Sequence, residues 1–201
     1  LPIVTEIMDI KEDLKRRDFT VNALALDITK QKNLKLFDPY NGLEDIRTKV
    51  IRVLHKKSFE DDPTRLFRAV RYSVSNDFEI ETTTRILVKS SLKFLKDISK
   101  DRINKEFIRL ISGSNIKNQL NLAKHLGILG AVDPHLTIMT DFDSSLEPLP
   151  DNLLIRLGIL LSSATETQIL DILYSLGFRN NIRSKLSNIP KTKTLCISLY
   201  V

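Results

Sequence analysis

The residues of this chain best arranged for chemistry are Asp62, Arg65, Arg68 and Arg71, an acid followed by arginines at every third position within S-F-E-D-D-P-T-R-L-F-R-A-V-R-Y, residues 58–72. On a helix, a step of about 100° per residue gathers these side chains on a polar face and turns Leu66, Phe67, Val70 and Val74 toward an apolar one. Guanidinium groups donate hydrogen bonds in a fixed fork, so such a face suits a planar, anionic ligand such as a nucleotide. The same spacing also fits a plainer reading, in which Asp62 only caps the helix and the arginines are only a solvated face. The Asp-Pro pair sets the expected helix start, with Asp62 as N-cap and Pro63 at the first position, where no N–H is needed.

Other reactive side chains carry weaker patterns. Asp141-Phe142-Asp143 is the one D-x-D in the sequence, but it lies in a proline-flanked stretch, so it reads as chance rather than as a metal site. His55, His125 and His135 are scattered without metal-ligand spacing, and Cys196 is the single cysteine, which excludes a disulfide framework. With one cysteine, a reducing, cytoplasmic setting is the default. Lys89, Lys93, Lys96, Lys100, Arg102 and Lys105 on later helices fit an RNA backbone and an ordinary wet face equally well.

The elements that must position these residues follow from local pattern. A chain of 201 residues can bury a substantial core in two or three units. A net charge of +6 suits a polyanionic partner. No apolar run approaches the roughly 18 residues of a membrane span and no signal-type N-terminus is present, so no membrane partner is indicated. The start at L-P-I-V-T-E-I and the stop in T-L-C-I-S-L-Y-V both read as cut within structure. A loop over residues 1–10 and a short helix over Lys11–Arg16 lead to strands at Leu24–Ile28 and Asn33–Phe37, a hairpin across T-K-Q-K-N. A turn at residues 38–45 with a helical turn after Gly42 precedes a last strand at Val50–Leu54. Beyond it only helices are expected: Pro63–Ser75, Thr82–Phe94, Lys100–Ile111, Ile116–Leu126, Asp151–Ser162 and Glu166–Leu176, with Val132–Pro150 as a loop.

R-R-D-F-T-V-N-A-L-A from Arg16, D-P-Y-N-G-L-E-D from Asp38 and E-D-D-P-T-R-L-F-R-A-V-R-Y from Glu60 occur in that order. That series resembles the class II tRNA nucleotidyltransferases, which comprise CCA-adding enzymes, A-adding enzymes and bacterial poly(A) polymerases. By that resemblance Arg17 and Asp18 form the central pair of a ribose and nucleotide motif. Asp38, Gly42 and Asp45 match a D-x3-G-x2-D hinge element. Asp61, Asp62 and Arg65 match E-D-x-x-R, with Asp in place of the first Glu, and D-R-I-N-K-E-F-I-R-L from Asp101 resembles the following neck helix. The likeness covers roughly residues 1–135.

The implied fold is α+β: the trailing part of a nucleotidyltransferase head with a small β-sheet at 1–54, a helical neck at 55–112 and part of a helical body at 113–201. The strands of the head remnant are expected to be its weak unit, with an exposed edge and an uncovered face. The implied activity is addition of C, C and A, or A alone, to tRNA 3′ ends from CTP and ATP without a nucleic-acid template; a poly(A) polymerase and a noncatalytic nucleotide- and RNA-binding fragment are the alternatives. Magnesium is implied as cofactor, held by G-G-x-V-R-D and D-x-D segments that precede these motifs in the family and do not lie upstream of Arg16 here. Asp62 and Arg65 would choose the base. Cytosine and adenine offer an amino donor beside a bare ring nitrogen, matching a carboxylate acceptor and a guanidinium donor, whereas uracil and guanine offer the reverse. Asp61 is expected to steady an arginine, Arg68 to meet the triphosphate and Arg71 to serve the fold.

Overall fold

The computed structural model describes residues 9–29, 34–113 and 115–187. Residues 1–8 of the loop expected over 1–10, residues 30–33 of the turn T-K-Q-K-N with Asn33 of the second expected strand, and the C-terminal stretch with Cys196 lie outside them.

A first helix α1 (Ile10–Lys15) is capped by Asp9, whose side chain accepts from the Lys11 N–H. A 3-10 turn at Thr20–Asn22 follows, then strands β1 (Ala25–Asp27) and β2 (Lys35–Phe37), paired antiparallel with Leu26 opposite Leu36. Helix α2 (Gly42–Arg47) starts after Asn41 in the left-handed region at φ 58°. The D-x3-G-x2-D element acquires a physical account here. Asp38 accepts the N–H groups of Gly42 and Leu43 at 2.6 and 3.0 Å, satisfying the open end of α2. Asp45, buried, accepts the Thr20 hydroxyl at 2.6 Å and Arg52 Nε at 3.1 Å. Gly42 lies so close to Thr20 that a Cβ would overlap its carbonyl oxygen and sit 3.2 Å from Leu24 Cγ. One short helix is thus fixed to the turn that follows R-R-D.

β3 (Val50–Ile51) does not join the hairpin. It pairs in parallel with β4 (Glu79–Ile80), Val50 opposite Glu79, and a single antiparallel bridge joins Phe19 to Val53. The expectation of helices alone after Leu54 is therefore corrected, and the expected strand over Val50–Leu54 contributes a two-residue ladder. A segment as short as β4 has no period-2 pattern to detect; the chain reaches it because Asp77 adopts φ 55° and ends the preceding helix in a sharp turn.

Between these strands lie α3 (Ser58–Asp61) and α4 (Arg65–Asn76). The latter starts at Arg65, two residues after the expected Pro63. Helix α5 (Thr82–Ser91), capped by the Glu81 side chain on the Thr84 N–H at 2.7 Å, continues as a 3-10 segment to Asp97. Then come α6 (Lys100–Ser112), α7 (Ile116–His125), α8 (Ile128–Val132), α9 (Leu153–Leu160), α10 (Glu166–Ser175) and α11 (Asn180–Leu186). The expected loop at Val132–Pro150 contains 3-10 helices at Pro134–Thr140 and Ser144–Leu146, capped by Asp133 and Asp143. Their buried Leu136 and Met139 hold that segment to the body.

One apolar core runs from Phe19, Ile51 and Val53 through Leu66, Phe67 and Val70 of α4 and Phe107 and Leu110 of α6 to Leu157, Ile169 and Leu186. The hairpin is outside it: Leu26 and Leu36 are 50% and 43% exposed. Arg156 of α9 is buried and donates to Ile111 O at 2.7 Å and Pro150 O at 2.5 Å, satisfying a carbonyl at the end of α6. No helix among the described residues is long and apolar enough to cross a membrane.

Gly42→Ala is expected to lower stability by roughly 1–3 kcal/mol, because the methyl must displace backbone rather than a flexible side-chain end. A denaturant titration checks it, and an unchanged midpoint would refute the close-approach account.

Candidate nucleotide cleft

Helix α4 supplies one wall of an open cleft of about 720 Å³, facing the turn after α1 and one side of α6. Its apolar side, with Leu66, Phe67, Ala69 and Val70 buried, fixes the rotation of α4, so Arg65 and Arg68 face the opening. Arg17, Asp18, Asp62, Arg65 and Arg68 all line this one space.

Asp18 joins the two parts. Its side chain is 6% exposed and accepts from the Phe19 N–H and Asn22 Nδ2, each at 3.0 Å, and from Arg68 Nε and Nη2 at 2.8 and 2.5 Å. Burial works against the Arg68 charge, but the Asp18 carboxylate outweighs it and raises the guanidinium above its ordinary value. Arg68 also donates to Tyr72 OH at 3.1 Å, and the Tyr72 ring meets Phe19 edge to face at 5.8 Å between centroids. At the rim, Asp13 accepts from Arg16 and, at 3.0 Å, from Arg17. Hydrogen bonds from Arg17 and then Arg16 hold the Asp13 carboxyl below the usual carboxylate range.

The two residues matched to base choice are held unequally. Asp62 Oδ1 accepts from the Thr64 N–H at 3.1 Å, the Thr64 hydroxyl at 2.7 Å and Arg102 Nη2 of α6 at 2.8 Å. Among the described residues its Oδ2 receives no hydrogen bond. Asp62 is therefore not the expected N-cap of α4, a position that Thr64 takes; it ends α3, holds the turn ahead of α4 through Thr64 and leaves one oxygen open. Arg65 sends Nη1 to the Ser58 hydroxyl at 2.7 Å and carbonyl at 3.2 Å, and Nη2 to Arg16 O at 2.7 Å. Its Nε donates to no described residue. One guanidinium thus fastens α3, α4 and the R-R-D turn together.

Asp61 departs from expectation. It is exposed, outside the cleft lining, and 3.6 Å from His55 Nε2 rather than against an arginine. The shorter Asp side chain at the first motif position and the end of α3 at that residue turn it away. Arg71 faces Glu106 at 3.9 Å and lines a neighbouring opening instead. Asp38, Gly42 and Asp45 lie outside the cleft and act through the Thr20 turn. From α6, Arg102, Lys105, Glu106 and Arg109 face the cleft, and a spacing of three or four residues could have shown it. Lys100 turns elsewhere, its Nζ 3.1 Å from the Tyr174 ring centroid.

The described residues do not fit a magnesium ion. Lys117 Nζ donates to Thr140 O and Phe142 O, both at 2.6 Å, so an ammonium already sits at the D-x-D, and Asp143 is committed to the Ser145 N–H. Among the described residues no group of three or more His, Cys, Asp or Glu could hold a metal.

Comparison with known proteins gives two family matches: a poly A polymerase head domain over residues 3–52, and a probable RNA- and SrmB-binding site of polymerase A over residues 77–139. The CCA-adding enzyme of Lactobacillus helveticus is 37% identical over 121 residues, 59% of this chain and 29% of that protein. The Thermotoga maritima CCA-adding enzyme, solved in complex with tRNA, matches at TM-score 0.75 and 27% identity over 91% of this chain and 48% of its own. A CCA-adding enzyme solved with CTP matches at TM-score 0.75 and 27% identity, over 91% and 47%. The chain thus spans under a third of that curated relative's length and about half of the two solved chains.

Asp18→Asn is expected to cost about 2–4 kcal/mol of stability, since it removes the charge that offsets a half-buried guanidinium while keeping the side-chain shape. Thermal melts with Arg68→Met and the double variant test it: additive losses would show that the two groups do not act as a pair.

Proposed function

The chain belongs to the class II tRNA nucleotidyltransferase family, and from that premise we propose that it is the nucleotide-selecting and RNA-facing part of an enzyme that adds C, C and A, or A alone, to tRNA 3′ ends. CTP and ATP are the substrates, and no nucleic-acid template is used. Residues 1–54 belong to the head, 55–112 to the neck and 113–201 to the body. In the reaction the RNA 3′ hydroxyl oxygen bonds to the nucleotide α-phosphorus as pyrophosphate leaves.

The half-satisfied carboxylate of Asp62 carries this reading. With Oδ1 held by Thr64 and Arg102, Oδ2 is aimed by bonds already in place and can only accept, which suits the exocyclic amino group shared by cytosine and adenine. Arg65, anchored through Nη1 and Nη2, keeps Nε–H as a donor for the adjacent ring nitrogen. Uracil and guanine would set a carbonyl against the carboxylate and an N–H against the guanidinium. Arg17 and Asp18 bound the ribose side, and Arg68, cationic at any working pH, faces the triphosphate. The names of the solved relatives, one with tRNA and one with CTP, support the choice of partners. Since the described residues do not fit the magnesium that the family implies, transfer is assigned to a longer protein that would hold it. The chain by itself is expected to bind nucleotide without extending RNA.

In the longer protein, Asp62→Ala and Arg65→Ala are each expected to relax the preference for CTP and ATP over UTP and GTP by tenfold or more, since an unmet buried polar group costs about 1–3 kcal/mol. Incorporation of all four nucleotides, measured beside a thermal melt, decides it. Loss of about 1 kcal/mol of stability with unchanged base preference would leave Asp62 as a residue of the turn alone. Products that stop after three additions support CCA addition; long adenylate tails would replace it with poly(A) synthesis. RNA binding by the chain is expected to weaken steeply with salt, with a logarithmic slope of about −0.7 to −0.9 per neutralised phosphate. A flat response would remove the electrostatic basis for the RNA partner.

A further inference from the structure

Beside the nucleotide cleft is a second opening, about 530 Å³, that shares Arg68 and Arg109 with it. The two differ in charge. The first mixes cations with Asp18, Asp62 and Glu106, whereas the charged side chains lining the second are Arg68, Arg71 and Arg109 alone. Ser75 at the end of α4 and Ser112 at the end of α6 form part of its rim, and both are exposed.

Glu106 arranges this wall from behind. Its buried carboxylate takes Arg109 Nη1 on Oε1 at 2.5 Å, while Oε2, which receives no hydrogen bond among the described residues, faces Arg71 Nη2 at 3.9 Å, so one acid holds Arg109 and attracts Arg71 beside the same space. Arg71 Nε is buried and has no hydrogen-bond acceptor among the described residues. A buried donor left unmet is unfavourable, and an oxygen-rich anion reaching it would relieve that. Forked donors on a cationic wall match the oxygens of a phosphate.

We propose that this second opening seats a phosphodiester of the RNA strand being extended. The inference rests on the function proposed above: transfer requires the RNA 3′ hydroxyl at the α-phosphorus of the bound nucleotide, so the last phosphodiesters of the acceptor strand must lie beside the nucleotide. A cationic cleft continuous with the nucleotide cleft through two shared arginines meets that requirement. Arg71 thereby gains a role beyond the fold, and Ser75 and Ser112 mark where the strand enters.

The test charges the rim without touching the arginines. In the 201-residue chain, Ser75→Glu with Ser112→Glu is compared with Ser184→Glu, which adds charge on α11 outside both openings. Affinity for a tRNA lacking its terminal CCA is measured by fluorescence anisotropy, affinity for CTP by calorimetry, and the fold by melting temperature. The rim variant is expected to weaken tRNA binding at least tenfold while CTP affinity stays within twofold and Ser184→Glu binds as wild type. Unchanged tRNA affinity overturns the proposal, as does an equal loss in Ser184→Glu. A parallel fall in CTP affinity also overturns it and gives the seat to the nucleotide's own phosphates. If the wild-type chain binds neither tRNA nor CTP, the proposed function itself falls; if it binds both and the rim variant matches it, only the second seat does. Arg71→Lys, which keeps the charge and loses the buried Nε donor, is expected to weaken tRNA binding about threefold, and wild-type affinity there would refute its role.

Discussion

A single buried carboxylate, Asp18, is the point on which the arrangement depends. It ends the R-R-D turn, accepts four hydrogen bonds and meets Arg68 across fifty residues of sequence. Taking a carboxylate out of water is unfavourable unless its oxygens are fully met, so the turn and α4 must adopt this mutual position together. Arg65 repeats the arrangement with the signs exchanged, a cation met by the carbonyl of Arg16 and by Ser58. Between them, these two residues make the cleft a product of packing between distant segments, and its polar groups are held before any ligand arrives.

Much of this was legible in the sequence where a pattern had room to repeat. The apolar side of α4 and the cluster of Arg17, Asp18, Asp62, Arg65 and Arg68 in one space follow from helical spacing and from motifs with a recognisable order. The hinge motif is visible in the sequence only as a string; its mechanical parts are a cap at Asp38, and a close approach at Gly42 and a buried acceptor at Asp45 that arise from contacts with Thr20, Leu24 and Arg52. What could not be read depends on partners far away in the chain. β4 is two residues long and exists because Lys49 and Ile51 offer carbonyls to Glu79 and Glu81. The division of Asp62 into a saturated and an open oxygen needs Arg102, forty residues on. The turn of Asp61 toward His55 depends on α3 ending at that residue, which helical spacing does not show.

Gly177 has a consequence for the chain over evolutionary time. At φ +73° it closes the turn after α10, and a Cβ there would lie 2.6 Å from the Lys100 carbonyl oxygen, while Asn104 bonds the neighbouring Leu176 carbonyl at 3.0 Å. The start of α6 and the end of α10 thus abut through main chain. At Gly177 itself the joint has no room for a side chain, so only the Asn104 bond beside it is open to small substitutions. Sequence drift on the outer surfaces of either helix can alter charge and solubility, yet it leaves the separation between the α6 face of the cleft and the far helices as a fixed measure.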